Sequence, residues 1–194
     1  MNHADHVHLL RAGVLAAGGR NASSIAHRRA CDEVSRAGGT WADLGSGTGA
    51  FTLALAELIG AEGRIYSVDK DAGALREQER VMRERFPAVS VTYRIADFTR
   101  PLSLPPLDGI VMANALHFQR DKEPVVRAIK ACLKPGGRLL LVEYNVDQGN
   151  LWVPHPLSYS TWEALAGRCG FAHTRLLAKL PSRFLKEIYS AESM

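Results

Sequence analysis

The stretch that most constrains this 194-residue chain is residues 40–56, TWADLGSGTGAFTLALA. Its first five residues, Thr40 to Leu44, form a short apolar run that predicts a buried strand. Gly45, Gly47 and Gly49 then alternate with small polar residues, so the backbone can turn sharply and approach a ligand with no Cβ in the way. The following residues are mostly apolar, as in a buried helix. The stretch therefore predicts a strand, a glycine turn and a helix.

The glycine turn predicts a site for an anionic group, because free backbone N–H groups and a helix N-terminus would meet there. Its glycines fall as G-S-G-T-G, which is tighter than the G-x-G-x-x-G of dinucleotide-binding folds. Asp43 lies two residues before the first glycine and would repel a phosphate, but it can accept a hydrogen bond from an ammonium group. A zwitterionic amino-acid ligand fits these residues better than a nucleotide phosphate. A tight turn that binds nothing is the alternative.

Residues 43–49, DLGSGTG, closely resemble motif I, D-x-G-x-G-x-G, of the class I S-adenosylmethionine-dependent methyltransferases. The string LKPGGRLLLVE at 133–143 resembles the same family at the corresponding place. The resemblance covers about residues 40–190 and is, in general terms, to the small-molecule type found in ubiquinone and menaquinone pathways. It implies that S-adenosyl-L-methionine is the cofactor. In that family the motif holds the methionine end of the cofactor, here through Asp43, Gly45, Ser46, Gly47 and Gly49.

The family also implies the fold. We expect a Rossmann-like α/β three-layer sandwich with a seven-stranded, mostly parallel sheet of order 3-2-1-4-5-7-6, whose last strand is antiparallel. The alternation of strand and helix patterns along the chain agrees with this. Ser160 is the predicted N-cap of the last helix, which runs through Arg168. Phe171 to Lys179 and Arg183 to Ser190 are the predicted closing pair of strands.

Two further segments predict the nucleoside part of the site. Arg64 to Asp69 is a predicted strand, and Asp69 lies 24 residues after Gly45, near the distance at which nucleoside-binding folds present a carboxylate to the ribose. Lys70 follows it in the predicted cofactor segment, and Asp71 is the better candidate for the next helix cap. After a third predicted strand, Asp97 and Phe98 match by position the residues that bind adenine in the resembled family. A turn acid and a core phenylalanine are the alternative.

The predicted reaction face follows the fourth strand, Asp108 to Asn114. Open parallel sheets bind ligands outside the carboxyl ends of their strands, so we expect Asn114 and His117 to face the transferred methyl group. His117 is the candidate catalytic residue, since a histidine can act as a general base near neutral pH. Its roles as a positioning donor or a packing residue stay open.

Two other aromatic residues are candidate substrate contacts. Tyr144 follows the fifth predicted strand, Arg138 to Glu143, and is expected at the crevice with Glu143. Trp152 lies in the loop Asn145 to Tyr159, which is either a lid or a packed crossover.

Composition excludes several classes of function. The formal charge of +4 is spread without a basic stripe, so no nucleic-acid partner is expected. The N-P-P-[YF] tetrapeptide of amine-methylating enzymes is absent. No window is apolar enough for a membrane span, and no signal peptide is evident. Cys31, Cys132 and Cys169 are isolated in sequence, which predicts a reducing cytoplasm rather than a zinc or disulfide site.

The start of the chain carries the least information. His3, His6 and His8 are crowded, but no acid or cysteine cluster accompanies them, so no metal site is expected. Asn21 to Ala37 predicts a helix that ends at Gly38. We expect one methyltransferase domain over 1–194, with a helical segment at 1–39 and the core at 40–190.

The sequence therefore predicts an S-adenosylmethionine-dependent methyltransferase that acts on a small, partly apolar molecule by in-line transfer to carbon or oxygen. Two alternatives remain. One is a catalytically silent S-adenosylmethionine-binding protein, and the other is a nicotinamide-dependent oxidoreductase. The sequence does not identify the methyl acceptor or the oligomeric state.

Overall fold

The computed structural model describes residues 38–182 and 184–194. Strands β1 to β7 span Thr40–Leu44, Arg64–Asp69, Ser90–Ile95, Leu107–Ala113, Leu133–Tyr144, Thr174–Pro181 and Glu187–Ser193. Helices α1 to α4 span Ala50–Ile59, Ala72–Arg85, Glu123–Ala131 and Tyr159–Arg168, and Leu116–Phe118 form a 3₁₀ turn.

The strands form one seven-stranded sheet of order β3-β2-β1-β4-β5-β7-β6. Strands β1 to β5 pair in parallel, whereas β7 runs antiparallel to both β5 and β6. The predicted fold class, strand order and antiparallel last strand are confirmed. Strand order reverses between β1 and β4, so the carboxyl ends of these neighbours define the ligand crevice of such a sheet.

Apolar residues pack on both faces of the sheet. Successive side chains of a strand point to opposite faces, and β5 follows this rule, because Leu139 and Leu141 belong to one buried cluster while Leu140 belongs to another. The first cluster includes Trp162 of α4, and the second includes Leu55 of α1. The polar side chains at the carboxyl edge are therefore mounted on strands that are fixed from both sides.

Three predicted boundaries near the end of the chain are wrong. Helix α4 is capped by Ser158, whose side chain accepts from the Thr161 N–H, and not by Ser160. Strand β6 begins at Thr174 instead of Phe171. Phe171, which follows α4, is buried against Trp162 of that helix, with 6.5 Å between their ring centroids. Strand β7 begins at Glu187, after a turn in which the Ser182 N–H donates to the Lys186 carbonyl (2.7 Å), and it continues to Ser193 instead of ending at Ser190.

The predicted helix at 21–37 and the histidines His3, His6 and His8 lie outside the described residues, as do Cys31 and Arg183. The division into a segment at 1–39 and a core at 40–190 stays a prediction. Within residues 38–182 and 184–194, no helix has the length and apolar character that crossing a membrane requires.

Candidate functional site

The three glycines of the turn face different surroundings. Gly45, Gly47 and Gly49 all have positive φ, at 75°, 53° and 88°. A Cβ on Gly45 would lie 2.6 Å from the Ala115 Cβ, and one on Gly49 would lie 2.3 Å from the Gln78 Cγ. A Cβ on Gly47 would meet no atom within 4 Å. Gly45 and Gly49 are therefore glycines because the protein packs against them, whereas Gly47 borders open space that a ligand can occupy.

The backbone N–H groups of the turn are mostly engaged within the protein, which corrects the expectation that they would be free. Gly45 and Ser46 donate to the Val68 carbonyl (2.9 and 3.2 Å), and Gly49 donates to the Ser46 carbonyl (2.9 Å). The Gly47 N–H donates to Asp69 Oδ2 (2.7 Å). These bonds fix the shape of the turn, so the positive N-terminus of α1 is the predicted feature that remains to attract an anionic group.

A series of hydrogen-bonded buried side chains connects the glycine turn to β2 and α2, and it was not predicted from the sequence. The hydroxyls of Ser46 and Ser67 lie 2.8 Å apart, and Ser67 donates to Gln78 Oε1 at 2.7 Å. Gln78 is fully buried, and its Nε2 has no hydrogen-bond partner within the described residues. The signal was present in α2, where Leu75, Gln78 and Met82 form the buried stripe of a charged helix.

Asp43 lies beneath the turn and is only 1% exposed. Its Oδ2 accepts a hydrogen bond from the Thr52 hydroxyl at 2.7 Å. Burial raises the pKa of Asp43 to about 7, against the lowering effect of the Thr52 hydrogen bond, and the charge of Asp69 adds to the increase. The predicted ammonium acceptor is thus a buried group that changes charge near neutral pH.

The predicted nucleoside residues lie along the carboxyl ends of β2 and β3. Asp69 is half-buried, and its two oxygens accept from the N–H groups of Gly47 (2.7 Å) and Asp71 (2.8 Å). Each oxygen keeps a further lone pair for a hydroxyl. The backbone ties the two strand ends together, because the Ala96 N–H donates to the Asp69 carbonyl at 3.0 Å. Asp69 is therefore oriented before any ligand arrives, while Asp71 caps α2 as predicted.

Asp97 and Phe98 follow β3 on the same edge. Asp97 is exposed, and hydrogen bonds from the Thr99 backbone and hydroxyl lower the pKa of its carboxyl, with a smaller contribution from Lys70 and Arg100. Phe98 is half-buried, with its Cε1 3.4 Å from the position of a Cβ on Gly45. The structure therefore brings Asp97, Phe98 and exposed Lys70 to the same edge as the glycine turn.

Asn114 directly follows β4 and adopts a conformation that is unusual for a residue other than glycine, with φ of 50°. Its N–H donates to the Val142 carbonyl at 2.8 Å. Its side-chain Oδ1 is buried and has no partner within residues 38–182 and 184–194. Because a buried acceptor without a donor is costly, this oxygen is suited to receive a hydrogen bond from a bound group.

His117 and Glu143 form a buried pair at the carboxyl ends of β4 and β5. Nδ1 of His117 lies 2.8 Å from Oε2 of Glu143. The other oxygen, Oε1, accepts from the N–H groups of Leu116 (2.9 Å) and His117 (3.2 Å). His117 is 3% exposed and Glu143 is 0% exposed. Both residues were predicted at the crevice from the sequence, but their pairing was not.

Two aromatic rings lie beside His117. The His117 ring centroid lies 4.3 Å from that of Phe118 and 6.1 Å from that of Tyr144, and Tyr144 in turn lies 5.7 Å from Phe184. Tyr144 is 3% exposed, and burial raises its pKa to about 12, so it stays a neutral phenol. The structure thus brings two of the three predicted substrate contacts together.

Trp152, the third predicted contact, lies on the loop between β5 and α4 and is 37% exposed. The loop is packed: the His155 N–H donates to the His117 carbonyl at 3.0 Å, and the Ser158 N–H donates to Asp147 Oδ1 at 2.8 Å. These contacts favour a packed crossover over a mobile lid. In the part of the chain that the structure describes, no three His, Cys, Asp or Glu side chains are grouped as a metal site requires.

Comparison with known proteins gives one family. Residues 42–139, half of the chain, match the family described as a methyltransferase domain. An arsenite methyltransferase of Aquipseudomonas alcaligenes is 30% identical over 158 residues, which are 72% of this chain and 46% of that protein. A ubiquinone/menaquinone biosynthesis C-methyltransferase of a Shewanella species is 32% identical over 111 residues, 56% of this chain and 44% of that protein. The chain thus spans less than half the length of these relatives.

The fold is also shared with solved structures. An S-adenosylmethionine-dependent methyltransferase of Aquifex aeolicus superposes with a TM-score of 0.68 at 18% sequence identity, and the match covers 87% of this chain and 88% of the other.

Proposed function

The chain belongs to the class I S-adenosylmethionine-dependent methyltransferases, and from that premise we propose that it methylates a small, partly apolar organic molecule on carbon or oxygen. S-adenosylmethionine is the cofactor, and it supplies a methyl group on an activated sulfonium for in-line displacement. The chain's own contribution to such a reaction is alignment, exclusion of water and, where the acceptor requires it, removal of a proton.

The arrangement of the carboxyl edge fits this cofactor. In our proposal the open space beside Gly47 receives the methionine part, whose carboxylate meets the N-terminus of α1. Asp69 accepts from the ribose hydroxyls. Asp97 and Phe98 bind the adenine, and the unpartnered Oδ1 of Asn114 accepts a hydrogen bond from the bound cofactor.

The choice of acceptor rests on one observation: His117, which pairs with Glu143, lies beside the rings of Phe118 and Tyr144. His117 is also two residues after Ala115, which packs against Gly45 of the glycine turn. Apolar walls with few polar groups are typical of small-ligand sites. A base within such walls is suited to a weakly acidic O–H or C–H group. His117 is only 3% exposed, so the residues packed around it must shift before the proton of a bound acceptor can reach its ring.

Arsenite, the acceptor named for the Aquipseudomonas relative, fits this chain less well. Trivalent arsenic is soft and binds thiolates. Cys132 lies at the opposite edge of the sheet, where its carbonyl accepts from the Leu107 N–H at the start of β4 (2.9 Å), and Cys169 is buried with its Sγ 3.8 Å from the Glu123 carbonyl. Burial raises the pKa of both thiols. The two described cysteines therefore support an organic acceptor.

The proposal is tested by measuring S-adenosylhomocysteine after incubation with S-adenosylmethionine and separate pools of small metabolites, tRNA, DNA and protein extract. We expect product with the small-metabolite pool, and we expect His117→Gln to reduce turnover by about 10²–10⁴-fold. His173→Gln is the matched control, since His173 is exposed and its backbone pairs with Met194 at the far end of the sheet. Turnover on a macromolecular pool alone would overturn the small-molecule proposal. Bound but unconsumed cofactor in all pools would favour a silent binding protein.

A further inference from the structure

We propose that Glu143 is a positioning residue that fixes the ring tautomer of His117, so that Nδ1 carries the proton and the lone pair of Nε2 is available to a substrate. The inference rests on the proposed function of His117 as a proton acceptor. Glu143 itself is fully buried, so it acts through His117 and not by touching a ligand.

The donors that surround the carboxylate decide which ring nitrogen carries the proton. Oε1 of Glu143 accepts two backbone N–H groups, from Leu116 at 2.9 Å and His117 at 3.2 Å. An ionised carboxylate can only accept hydrogen bonds. Oε2 therefore requires a donor from the His117 ring, and the atom that it faces at 2.8 Å is Nδ1. A neutral imidazole that donates from Nδ1 accepts at Nε2.

The other charged and titratable groups around the pair leave this assignment unchanged. Lys122 lies near Glu143 and is half-buried, and its ammonium donates to the Gln119 carbonyl at 2.7 Å. Tyr144 and Tyr189 are buried phenols whose pKa values are raised, first by burial and then by the charge of Glu143. Neither tyrosine competes with His117 as a base near neutral pH, since both stay protonated there.

The consequence for catalysis is a proton transfer with a defined path. As the acceptor oxygen or carbon attacks the methyl carbon, its proton passes to Nε2, and the electron pair of the breaking carbon–sulfur bond stays on sulfur. The imidazolium that forms keeps its Nδ1–H on Glu143, so the buried carboxylate balances the new charge.

The two backbone donors make Glu143→Gln an informative substitution. The amide oxygen of glutamine must face the N–H groups of Leu116 and His117, because the NH₂ group would oppose two donors. The NH₂ group then faces Nδ1 and donates to it. The substitution therefore inverts the tautomer: Nδ1 becomes the acceptor and Nε2 carries the proton, so that it no longer accepts one from a substrate.

The test is nitrogen NMR of the full chain labelled with ¹⁵N-histidine, with the signals of His117 identified among the seven histidines by their loss in His117→Gln. In the wild type we expect a pyrrole-type Nδ1 and a pyridine-type Nε2. In Glu143→Gln we expect the two types to be exchanged and turnover to fall by about 10²–10⁴-fold. Glu192→Gln is the matched control, because Glu192 is equally buried on the neighbouring strand β7 but pairs with arginines; it should leave the His117 signals unchanged.

A wild-type His117 protonated at Nε2 when neutral would overturn the proposal, and this result needs no variant to fold. An unchanged tautomer in folded Glu143→Gln would overturn it as well. The outcome is separable from that of the proposed function. If the tautomers are as expected but no small molecule is methylated, only the function fails; if methylation depends on His117 but not on its tautomer, only the positioning role fails.

Discussion

At the scale of single residues, two glycines of the turn have different roles, one in ligand contact and one in packing. Gly47 borders open space, whereas Gly49 is packed against Gln78. Asparagine tolerates positive φ better than other residues with a Cβ, so placing it at each position compares the two environments with little added backbone strain. We expect Gly47→Asn to weaken S-adenosylmethionine binding by about tenfold or more, equivalent to ~1.4 kcal/mol, with a nearly unchanged melting temperature.

Gly49→Asn is the comparison. Its side chain must displace Gln78, and overpacking of this kind costs about 1–3 kcal/mol, so its melting temperature should fall. Calorimetric titration and thermal unfolding of both variants provide the measurement. Wild-type affinity in Gly47→Asn would show that the cofactor does not approach this side of the turn.

The buried carboxyl of Asp43 predicts an unusual pH dependence of stability. Its pKa rises from the ordinary value of 3.8 to about 7 in the folded protein, so between these values the folded chain holds a proton that the unfolded chain has lost. This group therefore makes the protein less stable as pH rises from about 4 to 7, by at most ~1.4 kcal/mol per pH unit. Above pH 7 its contribution is constant.

Asp43→Asn removes the titration but keeps an oxygen that can accept from Thr52. We expect the free energy of unfolding in urea, measured without ligand, to fall less steeply with pH in this variant than in the wild type between pH 5 and 7. The remaining titratable groups are shared by the two proteins, so the difference reports Asp43 together with its interaction with Asp69. Parallel pH profiles would mean that the carboxyl is ionised in the fold throughout this range.

At the scale of elements, strand β7 is joined to its neighbours by one buried acid. Glu192 is 2% exposed and pairs with Arg138 of β5 (3.0 Å) and Arg175 of β6 (2.8 Å). Removing one partner of a buried pair is costly, but both arginines retain access to water, so we expect Glu192→Gln to lower the free energy of unfolding by about 1–3 kcal/mol. Glu84→Gln, in the exposed Arg80–Glu84 pair of α2, should cost less than about 0.5 kcal/mol. Equal effects in urea unfolding would contradict this account of the hairpin.

The sequence predicted most elements because their signals are local. Strand β1 is an apolar run between Gly39 and Gly45, and β2 begins directly after Gly63; the predicted bounds of both match the structure. The predicted start of α4 was wrong because a serine can cap a helix at either position, 158 or 160. In the structure Ser158 is the cap, and its own N–H donates to Asp147. Asp147 lies outside the helix, so the local sequence of the helix does not show this contact.

At the scale of the whole molecule, the parallel strands collect distant residues at one edge of the sheet. Strand order predicted that Asp43, Asp69, Asn114 and His117 would share this edge, and they do. It did not predict that the Gly45 and Ser46 N–H groups would bond to Val68, or that Glu143 would bond to His117. These partners lie on neighbouring strands or in the turns that directly follow them, and their contacts depend on strand register and side-chain direction, which a sequence motif does not specify.

The central claim is that this edge holds S-adenosylmethionine, and calorimetric titration of the cofactor into the wild type, Asp69→Ala and Asp71→Asn tests it most directly. Asp71 is the adjacent acid and caps α2, a role that asparagine also performs. We predict that Asp69→Ala loses hydrogen bonds to the ribose and binds at least about tenfold more weakly, since a hydrogen bond to a charged group contributes ~1.5–3 kcal/mol. Asp71→Asn should bind like the wild type. Unchanged affinity in Asp69→Ala would contradict the placement of the cofactor at this edge.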